Sequence, residues 1–284
     1  MLQKELEINS ADGTLLHLKY SIPEGHAALA LIVHGLGEHS GRYDELTGFL
    51  NKRGFAVFRL DLRGHGRSAG KHAHVTAFDE YLSDVMVASA KAMEISGYKR
   101  FVLVGHSMGG LICANFAGLR HGLISGLVLS SPFFGFAQKP PAVKAFFGSI
   151  ISRIYPSLSL ATGLDAGLVS RDPEIVRKYT SDPLVHGVIS ARWFTEVLSQ
   201  QNGLERFREY KGPLLMMQAG ADGLASPEAS RLAFEASPAD PKEFHMLDGL
   251  YHEIFNELED DRKKVFGILD RWLKARGLGS KARA

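Results

Sequence analysis

Six short runs of almost wholly apolar residues constrain the fold of this 284-residue chain more than any other feature. Most are separated by stretches with helical periodicity, and the runs are Leu29–Val33, Phe55–Leu60, Phe101–Val104, Leu127–Leu129, Leu214–Met217 and Phe244–Leu247. Strands that are apolar at successive positions are buried on both faces, as in parallel sheets that helices cover. The sequence therefore predicts an α/β protein with a mostly parallel central sheet and helices on both faces.

The N-terminal residues follow a different pattern, which predicts a β-hairpin. Its strands are Glu5–Ile8 and Leu15–Tyr20, and the Asp12-Gly13 pair between them is a frequent turn sequence. Farther along, two helical patterns are each followed by a glycine, which commonly ends a helix in the left-handed conformation. These helices are predicted at Tyr43–Arg53 and Asp79–Ser96.

One long segment interrupts the alternation of strands and helices. From Ser131 to about Tyr210 there are helical stretches but no clear strand, and five of the 17 phenylalanines lie between Phe133 and Phe147. An ordinary pair of crossover helices is the alternative, but the segment is much longer than a typical crossover of about a dozen residues. We therefore expect a helical cap at residues 131–210, inserted between two parts of an α/β core at residues 1–130 and 211–284.

Composition excludes several classes of protein. The formal net charge is +2, which gives no reason to expect a nucleic-acid partner. The first residues lack the apolar core of a signal peptide, and no stretch reaches the roughly 18 apolar residues of a membrane span. Cys113 is the single cysteine, so an internal disulfide is excluded and a reducing compartment fits. We expect a cytoplasmic protein.

The segment Leu103–Gly110 reads L-V-G-H-S-M-G-G and places Ser107 between glycines two residues away on each side. With 30 glycines in the chain, the G-x-S-x-G pattern alone is weak evidence, and a simple turn is the alternative. The context favours a nucleophile elbow, because an apolar strand precedes the motif and a helical pattern follows it. At such an elbow the helix N-terminus faces any developing anion. Ser107 is therefore the predicted nucleophile.

A serine nucleophile needs a general base that a third group orients. In this class of fold, the acid and then the histidine follow the serine along the chain. Asp222 comes just after a predicted strand, where α/β sheets place their sites, and His252 lies in the loop after the last strand. Asp248 is a rival acid, but it lies four residues from His252 and is expected to structure the loop.

A glycine-containing loop, H-G-L-G-E-H-S-G-R-Y at His34–Tyr43, follows the first buried strand. Its glycines let the backbone approach Ser107, so that the N–H groups of Leu36 and Met108 form an oxyanion hole. A phosphate-binding turn is the alternative, but no G-K-[ST] follows, which excludes a P-loop. The segment D-L-R-G-H-G-R-S at Asp61–Ser68 is interpreted as structural support for these loops.

Together these motifs resemble the monoacylglycerol lipase and lysophospholipase branch of the α/β-hydrolase serine esterases. The matching segments, which run from about residue 30 to residue 260, are H-G-L-G-E-H-S-G-R-Y, D-L-R-G-H-G-R-S, G-H-S-M-G-G, S-D-P-L-V, A-G-A-D and Y-H-E-I-F-N-E. The resemblance implies an α/β-hydrolase fold with a mobile cap and a mechanism that needs no cofactor or metal. It implies Ser107, Asp222 and His252 as the triad, and the amides of Leu36 and Met108 as the oxyanion hole.

The resemblance further implies a pocket for the glycerol end of the substrate. Glu38 and Arg42 contribute to this pocket, either by their position or by ordering the loop. The sequence departs from the family pattern after Asp222, where G-L-A-S-P replaces the bulky apolar residue and charged residue that are frequent there. This departure affects the expected orientation of the acid but not its identity.

The first helix predicted in the cap carries a wide apolar stripe. Starting from Pro141, its members at helical spacing are Val143, Phe146, Phe147, Ile150, Ile151 and Ile154. Between Phe133 and Leu160 there are three basic residues and no acidic one, as expected for a helix on lipid headgroups. We expect Phe146 and Phe147 to bind lipid, through a peripheral contact with the inner membrane surface. Packing of the stripe on the catalytic core is the alternative.

The predicted function is that of a serine hydrolase, which cleaves fatty acid esters of glycerol or of glycerophospho compounds through an acyl-enzyme. A carboxylesterase, perhydrolase or acyltransferase acting on small or short-chain esters with the same triad is the alternative. A non-catalytic binding protein is disfavoured because no triad member is missing. Dehalogenases and epoxide hydrolases attack with aspartate, so Ser107 argues against both. The segment Lys71–His74 has no carboxylate at ligand spacing and is not predicted to bind a metal.

Overall fold

The computed structural model describes residues 1–138 and 142–279, with side chains outside residues 142–147. The strands of this part of the chain are β1 (Leu2–Asn9), β2 (Leu15–Ile22), β3 (Ala28–Val33), β4 (Phe55–Leu60), β5 (Phe101–His106), β6 (Ile124–Ser130), β7 (Ser159–Ala161), β8 (Val188–Ser190), β9 (Leu214–Ala219) and β10 (Lys242–Leu247). Eight of them form one sheet in the order β1-β2-β4-β3-β5-β6-β9-β10, and the short strands β7 and β8 pair separately.

The large sheet is parallel except at its N-terminal edge. The predicted hairpin is formed by β1 and β2, and β2 pairs antiparallel with β4. From β4 to β10 every neighbouring pair is parallel. Strands β4, β5 and β9 are buried at every residue, which explains why their sequences do not alternate between apolar and polar. The predicted α/β fold class is confirmed.

Helices cover both faces of the sheet. They are α1 (Asp44–Asn51), α2 (Asp79–Ser96), α3 (Met108–Leu119), α4 (Ala142–Ile154), α5 (Pro173–Ser181), α6 (Ala191–Gly203), α7 (Pro227–Ala236) and α8 (Glu259–Ala275). On one face, Val85 of α2 and Leu111 of α3 belong to the larger apolar core. On the other face, Leu46 of α1 and Trp272 of α8 belong to a second core.

The two helices predicted to end at a glycine differ in how well the prediction fits. Helix α2 spans the predicted residues, and Gly97 follows it with a φ of 77°. Helix α1 is shorter than predicted and ends at Asn51. The chain tightens there, because Arg53 and Gly54 donate to carbonyls only three residues earlier, those of Leu50 and Asn51.

The segment between β6 and β9 contains α4, α5 and α6. Because β6 and β9 are adjacent and parallel, this segment leaves the sheet and returns beside the strand from which it departed. It also contains β7 and β8, which pair antiparallel and which the sequence analysis did not anticipate. Each has only three residues, too few to show a strand period. The independence of this segment as a cap stays a prediction. Among the described residues, no helix has the length and apolar character needed to cross a bilayer.

Candidate active site

Ser107 lies at a sharp turn between β5 and α3. Its φ is 52° and its ψ is −121°, a conformation that is strained for any residue with a side chain. The turn is held by backbone hydrogen bonds on both sides, because Ser107 N donates to Ser130 O and Phe133 N donates to Ser107 O. The strand, turn and helix thus present the serine as expected for a nucleophile elbow.

The two glycines that flank Ser107 are required by close backbone packing. A Cβ on Gly105 would lie 2.5 Å from Gly109 O and 2.7 Å from the sulfur of Cys113. A Cβ on Gly109 would lie 2.3 Å from the carbonyl oxygens of both Val33 and His34. The glycines therefore let α3 approach both β5 and the loop that follows β3.

His252 and Asp222, which are 30 residues apart in the chain, are hydrogen-bonded. His252 Nδ1 lies 2.7 Å from Asp222 Oδ2, and Nδ1 must carry the proton because a carboxylate only accepts. The second oxygen, Oδ1, accepts from the N–H groups of Leu224 and Ala225, both at 2.9 Å. Despite the unusual G-L-A-S-P sequence, the acid is thus oriented toward the histidine.

The electrostatics of the pair favour charge on both groups. Burial alone would lower the pKa of His252, but the Asp222 charge and hydrogen bond, together with Glu253 and Glu38, raise it above 6.5. Burial would raise the pKa of Asp222, but the contact with His252 and two backbone N–H groups lower it overall. An imidazolium that forms at His252 is therefore stabilised.

His106 also contacts His252, with the two ring centroids 4.7 Å apart. Burial, assisted by the charge of His252, lowers the pKa of His106 to about 3, so this ring is neutral near neutral pH.

The rival acid Asp248 does not take part in this arrangement, because it is exposed in the turn after β10.

The loop that follows β3 lies against Ser107. A Cβ on Gly35 would be 3.1 Å from Ser107 Cβ and 2.9 Å from Glu38 Oε1, and Leu36 follows directly. Met108 is the first residue of α3, where backbone N–H groups have no intrahelical acceptor. The structure thus places both the loop of Leu36 and the N-terminus of α3 next to the serine.

Glu38 and Arg42 form a buried cluster with Glu253. Glu38 Oε1 accepts from Gly35 N and Tyr43 OH, each at 2.6 Å, while Glu38 Oε2 accepts from Arg42 Nε at 3.2 Å. Arg42 Nη2 donates to Glu253 Oε2 at 2.5 Å. Glu38 and Glu253 line a cavity whose wall also contains Ser107 and His252, and Arg42 is not among its described lining residues. Arg42 therefore sits behind the two carboxylates and braces the loop.

The segment after β4 supports the same loop. Asp61 Oδ1 accepts from Ser40 N at 2.7 Å, and Asp61 Oδ2 accepts from Arg67 N at 2.9 Å. Arg63 contacts Asp84 with two nitrogens instead of contacting the loop. The side chain of Arg67 is exposed and reaches Glu5 on β1. Of the three charged residues expected to give structural support, Asp61 thus contacts the loop after β3, while the side chains of Arg63 and Arg67 pair with acids elsewhere.

A cavity of about 610 Å³ contains Ser107 and His252 in its wall. Its lining is largely apolar, and its bulky members include Phe133, Phe136, Leu164, Leu168, Trp193 and Phe194. A volume of this size is typical of small-molecule sites. Residues of the segment between β6 and β9 thus enclose the space above the serine.

Phe146 and Phe147 are the two residues predicted to bind lipid. Both belong to α4, but their side chains lie outside the described residues.

His74 of the Lys71–His74 segment contacts Ser190 Oγ at 2.9 Å. Within the part of the chain that the structure describes, no cluster of three His, Cys, Asp or Glu side chains is placed to hold a metal ion.

Two polar residues of the site were missed by the sequence analysis. Gln218 is fully buried in β9 and donates to Asp222 Oδ2 at 3.1 Å. Its signal was a polar residue inside the apolar run L-L-M-M-Q-A. The second missed residue is Glu253, which directly follows His252. A carboxylate next to a predicted catalytic histidine is the sequence feature that could have identified it.

The sheet order, the strained serine between β5 and α3, and the acid and histidine after β9 and β10 define the α/β-hydrolase fold class. The family model described as serine aminopeptidase, S33, matches residues 24–259. The chain belongs to this family of serine hydrolases.

Proteins of known sequence and structure are similar over nearly the whole chain. The monoglyceride lipase of Rattus norvegicus is 31% identical over 271 residues, which cover 94% of this chain and 89% of that protein. The phospholipase YtpA of Bacillus subtilis is 32% identical over 84% of this chain and 92% of that protein. The crystal structure of the monoacylglycerol lipase of Paleococcus ferrophilus has a TM-score of 0.81 and 33% identity, covering 97% of this chain and 100% of that chain. The predicted resemblance is confirmed.

Proposed function

We propose that this chain is a serine hydrolase that cleaves monoacylglycerols to a fatty acid and glycerol. The observation that carries the proposal is that His252, held by its hydrogen bond to Asp222, lines the same cavity as Ser107. The similarity to two proteins named monoglyceride lipase and monoacylglycerol lipase supports the substrate class.

In the first step, the Ser107 hydroxyl attacks the carbonyl carbon of the ester. His252 accepts the hydroxyl proton, and Asp222 holds the imidazole in the required tautomer and stabilises the imidazolium. The raised pKa of His252 fits this role, since the histidine must become protonated as the tetrahedral intermediate forms.

The backbone N–H groups of Leu36 and Met108 stabilise the oxyanion of this intermediate. Each such donor is worth on the order of 3 kcal/mol of transition-state stabilisation. The approach of Gly35 to Ser107 and the position of Met108 at the start of α3 support the assignment.

The intermediate collapses when the ester C–O bond breaks. His252 gives its proton to the departing glycerol oxygen, which leaves the acyl group on Ser107. A water molecule then attacks this acyl-enzyme with His252 as the base, and the fatty acid is released.

The acyl chain occupies the apolar part of the cavity. Aromatic and aliphatic side chains line this part, while Glu38 and Glu253 lie at the end near His252. An apolar space that ends at a polar group suits a substrate with one long chain and a hydroxylated head.

Helix α4 provides a membrane contact through which lipid reaches this cavity. Of its predicted stripe, Ile150 and Ile154 are 38% and 63% exposed, and Tyr155 and Leu158 just beyond the helix are also exposed. The other side of α4 packs on α6, where Ser152 Oγ lies 2.8 Å from Thr195 Oγ1. Exposed apolar residues beside the exposed cation of Arg153 favour lipid contact over packing on the core.

Vesicle binding tests this contact. Ile150→Ser with Ile154→Ser, and separately Phe146→Ser with Phe147→Ser, should lower binding to anionic vesicles and slow long-chain monoacylglycerol hydrolysis. Both variants should spare a water-soluble butyrate ester. Leu232→Ser is the matched control, because Leu232 is 52% exposed on α7. Unchanged binding by stable variants would remove the membrane contact and leave the hydrolase.

Covalent labelling tests the proposed function itself. A fluorophosphonate should label Ser107 alone, and Ser107→Ala should abolish hydrolysis of monoacylglycerol while the protein stays folded. A carboxylesterase, perhydrolase or acyltransferase would also be labelled. Comparing monoacylglycerols of several chain lengths with short-chain esters and other acyl acceptors separates these alternatives. Labelling at another serine would refute the assignment.

A further inference from the structure

The cavity is acidic at one end and has no compensating cation in its described wall. The charged side chains among its described lining residues, His252 apart, are Glu38, Asp165 and Glu253, and none is a lysine or arginine. Arg42 lies behind this wall and is shared by Glu38 and Glu253. Because the carboxylates of Glu38 and Glu253 share the single guanidinium of Arg42, this end of the cavity keeps an excess negative charge.

This charge is placed where the leaving group departs. The carboxylate of Glu38 lies next to Gly35, which itself approaches Ser107, as the close Cβ distances show. Glu253 adjoins His252, the residue that protonates the leaving oxygen in the proposed mechanism. The head of the substrate therefore contacts this end of the cavity, and the acyl chain extends into the apolar part.

We propose that Glu253 is a specificity-determining residue that admits neutral polyol leaving groups and rejects anionic ones such as a phosphate ester. The inference rests on the proposed function and narrows its substrate class, since the similar proteins include both a monoglyceride lipase and a phospholipase.

The proposed discrimination arises because solvent only weakly screens the fixed negative charge of Glu253. The side chains of Glu38, Arg42 and Glu253 are only 3%, 8% and 5% exposed, so water does little to reduce their interaction with a bound charge. Glu253 Oε2 is held by Arg42 and by Asn256 Nδ2 at 2.9 Å, which fixes the carboxylate in place. A glycerol hydroxyl can donate to a carboxylate, whereas a phosphate dianion offers only acceptors and is repelled.

The test compares a monoacylglycerol with the lysophosphatidic acid of the same acyl chain. The wild-type kcat/KM should favour the monoacylglycerol by about tenfold or more, a measurement that needs no variant. Glu253→Gln removes the excess charge and should shift the ratio of the two kcat/KM values toward lysophosphatidic acid by about tenfold. Any effect on His252 cancels in this ratio, because both substrates use the same base.

Two matched variants separate charge from shape. Glu253→Asp keeps the charge and should keep the ratio within about twofold of wild type, although kcat falls. Asp165→Asn removes a charge at the exposed rim and should also keep the ratio, because solvent screens that carboxylate. A wild-type enzyme that cleaves both substrates equally, or a Glu253→Gln variant with an unchanged ratio, would overturn the inference. Absence of monoacylglycerol hydrolysis and of Ser107 labelling would instead overturn the proposed function.

Discussion

Gly109 in α3 lies against the backbone of His34, so closely that a Cβ on Gly109 would be 2.3 Å from the His34 carbonyl oxygen. This contact sets the distance between the start of α3, which carries Met108, and the loop that carries Leu36. The spacing of the two proposed oxyanion donors therefore depends on the absence of a single methyl group.

Gly109→Ala should consequently impair both stability and catalysis. The forced backbone shift should lower the free energy of unfolding by about 1–3 kcal/mol and reduce kcat by about a hundredfold, because the oxyanion donors move. Urea unfolding and steady-state kinetics measure the two effects. Gly48→Ala in α1 is the control, since nothing lies within 4 Å of its Cβ, and it should be neutral or slightly stabilising. Similar behaviour of the two variants would contradict the packing argument.

Asp222→Asn should leave the fold stable but lower kcat by about 10³–10⁴, because the wrong imidazole tautomer is then favoured. Asp248→Asn should have a far smaller effect, since Asp248 is exposed in the turn after β10. Steady-state kinetics with a monoacylglycerol distinguishes the two variants. If the larger loss fell on Asp248, the acid would be assigned to the wrong residue.

The pH profile of kcat/KM should report the environment of His252. The Asp222, Glu253 and Glu38 charges outweigh burial and raise the pKa of His252 above 6.5. Because the base must be neutral to accept the serine proton, activity should be lost as the pH falls through this raised pKa. Glu253→Gln removes one of the anions, so the acidic limb should move to lower pH. An acidic limb that stayed in place would show that Glu253 does not act on His252.

Arg42→Ala should destabilise the protein strongly. It leaves Glu38 and Glu253 buried together without their shared cation, which costs about 3–5 kcal/mol of unfolding free energy. Arg231→Ala, which removes an exposed arginine paired with Glu228 and Glu235, should cost much less. Urea denaturation of both variants decides the point, and equal losses would show that the buried cluster contributes no more than a surface pair.

Glu38 and Arg42 should also differ in how they affect substrates. Glu38 lines the cavity, so Glu38→Ala should reduce turnover of a monoacylglycerol more than that of a p-nitrophenyl ester with the same acyl chain. Arg42 acts from behind the wall, so Arg42→Ala should reduce both rates by similar factors. The comparison is made as the ratio of kcat/KM values. Equal losses for Glu38→Ala would mean that this residue also only braces the loop.

Only the tertiary structure determines which charged residues pair with one another. Arg42 and Glu253 are 211 residues apart in the chain, and their contact depends on the loops after β3 and β10 meeting at one edge of the sheet. The loops after β9 and β10 also meet, which gives His252 its contact with Asp222, and buried Gln218 of β9 donates to the same carboxylate. The short strands β7 and β8 form only because they pair with each other, since three residues carry no pattern of their own.

The sequence by itself determined the sheet, the order of the site residues and the serine turn. Strands buried on both faces must be apolar throughout, and a turn that forces φ to 52° with crowded neighbours must be flanked by glycine. These requirements are local, so the residues that meet them are neighbours in the sequence. The orientation of Asp222, the position of Arg42 behind the cavity and the acidic end that Glu253 creates depend on distances between segments far apart in the chain, which only packing fixes.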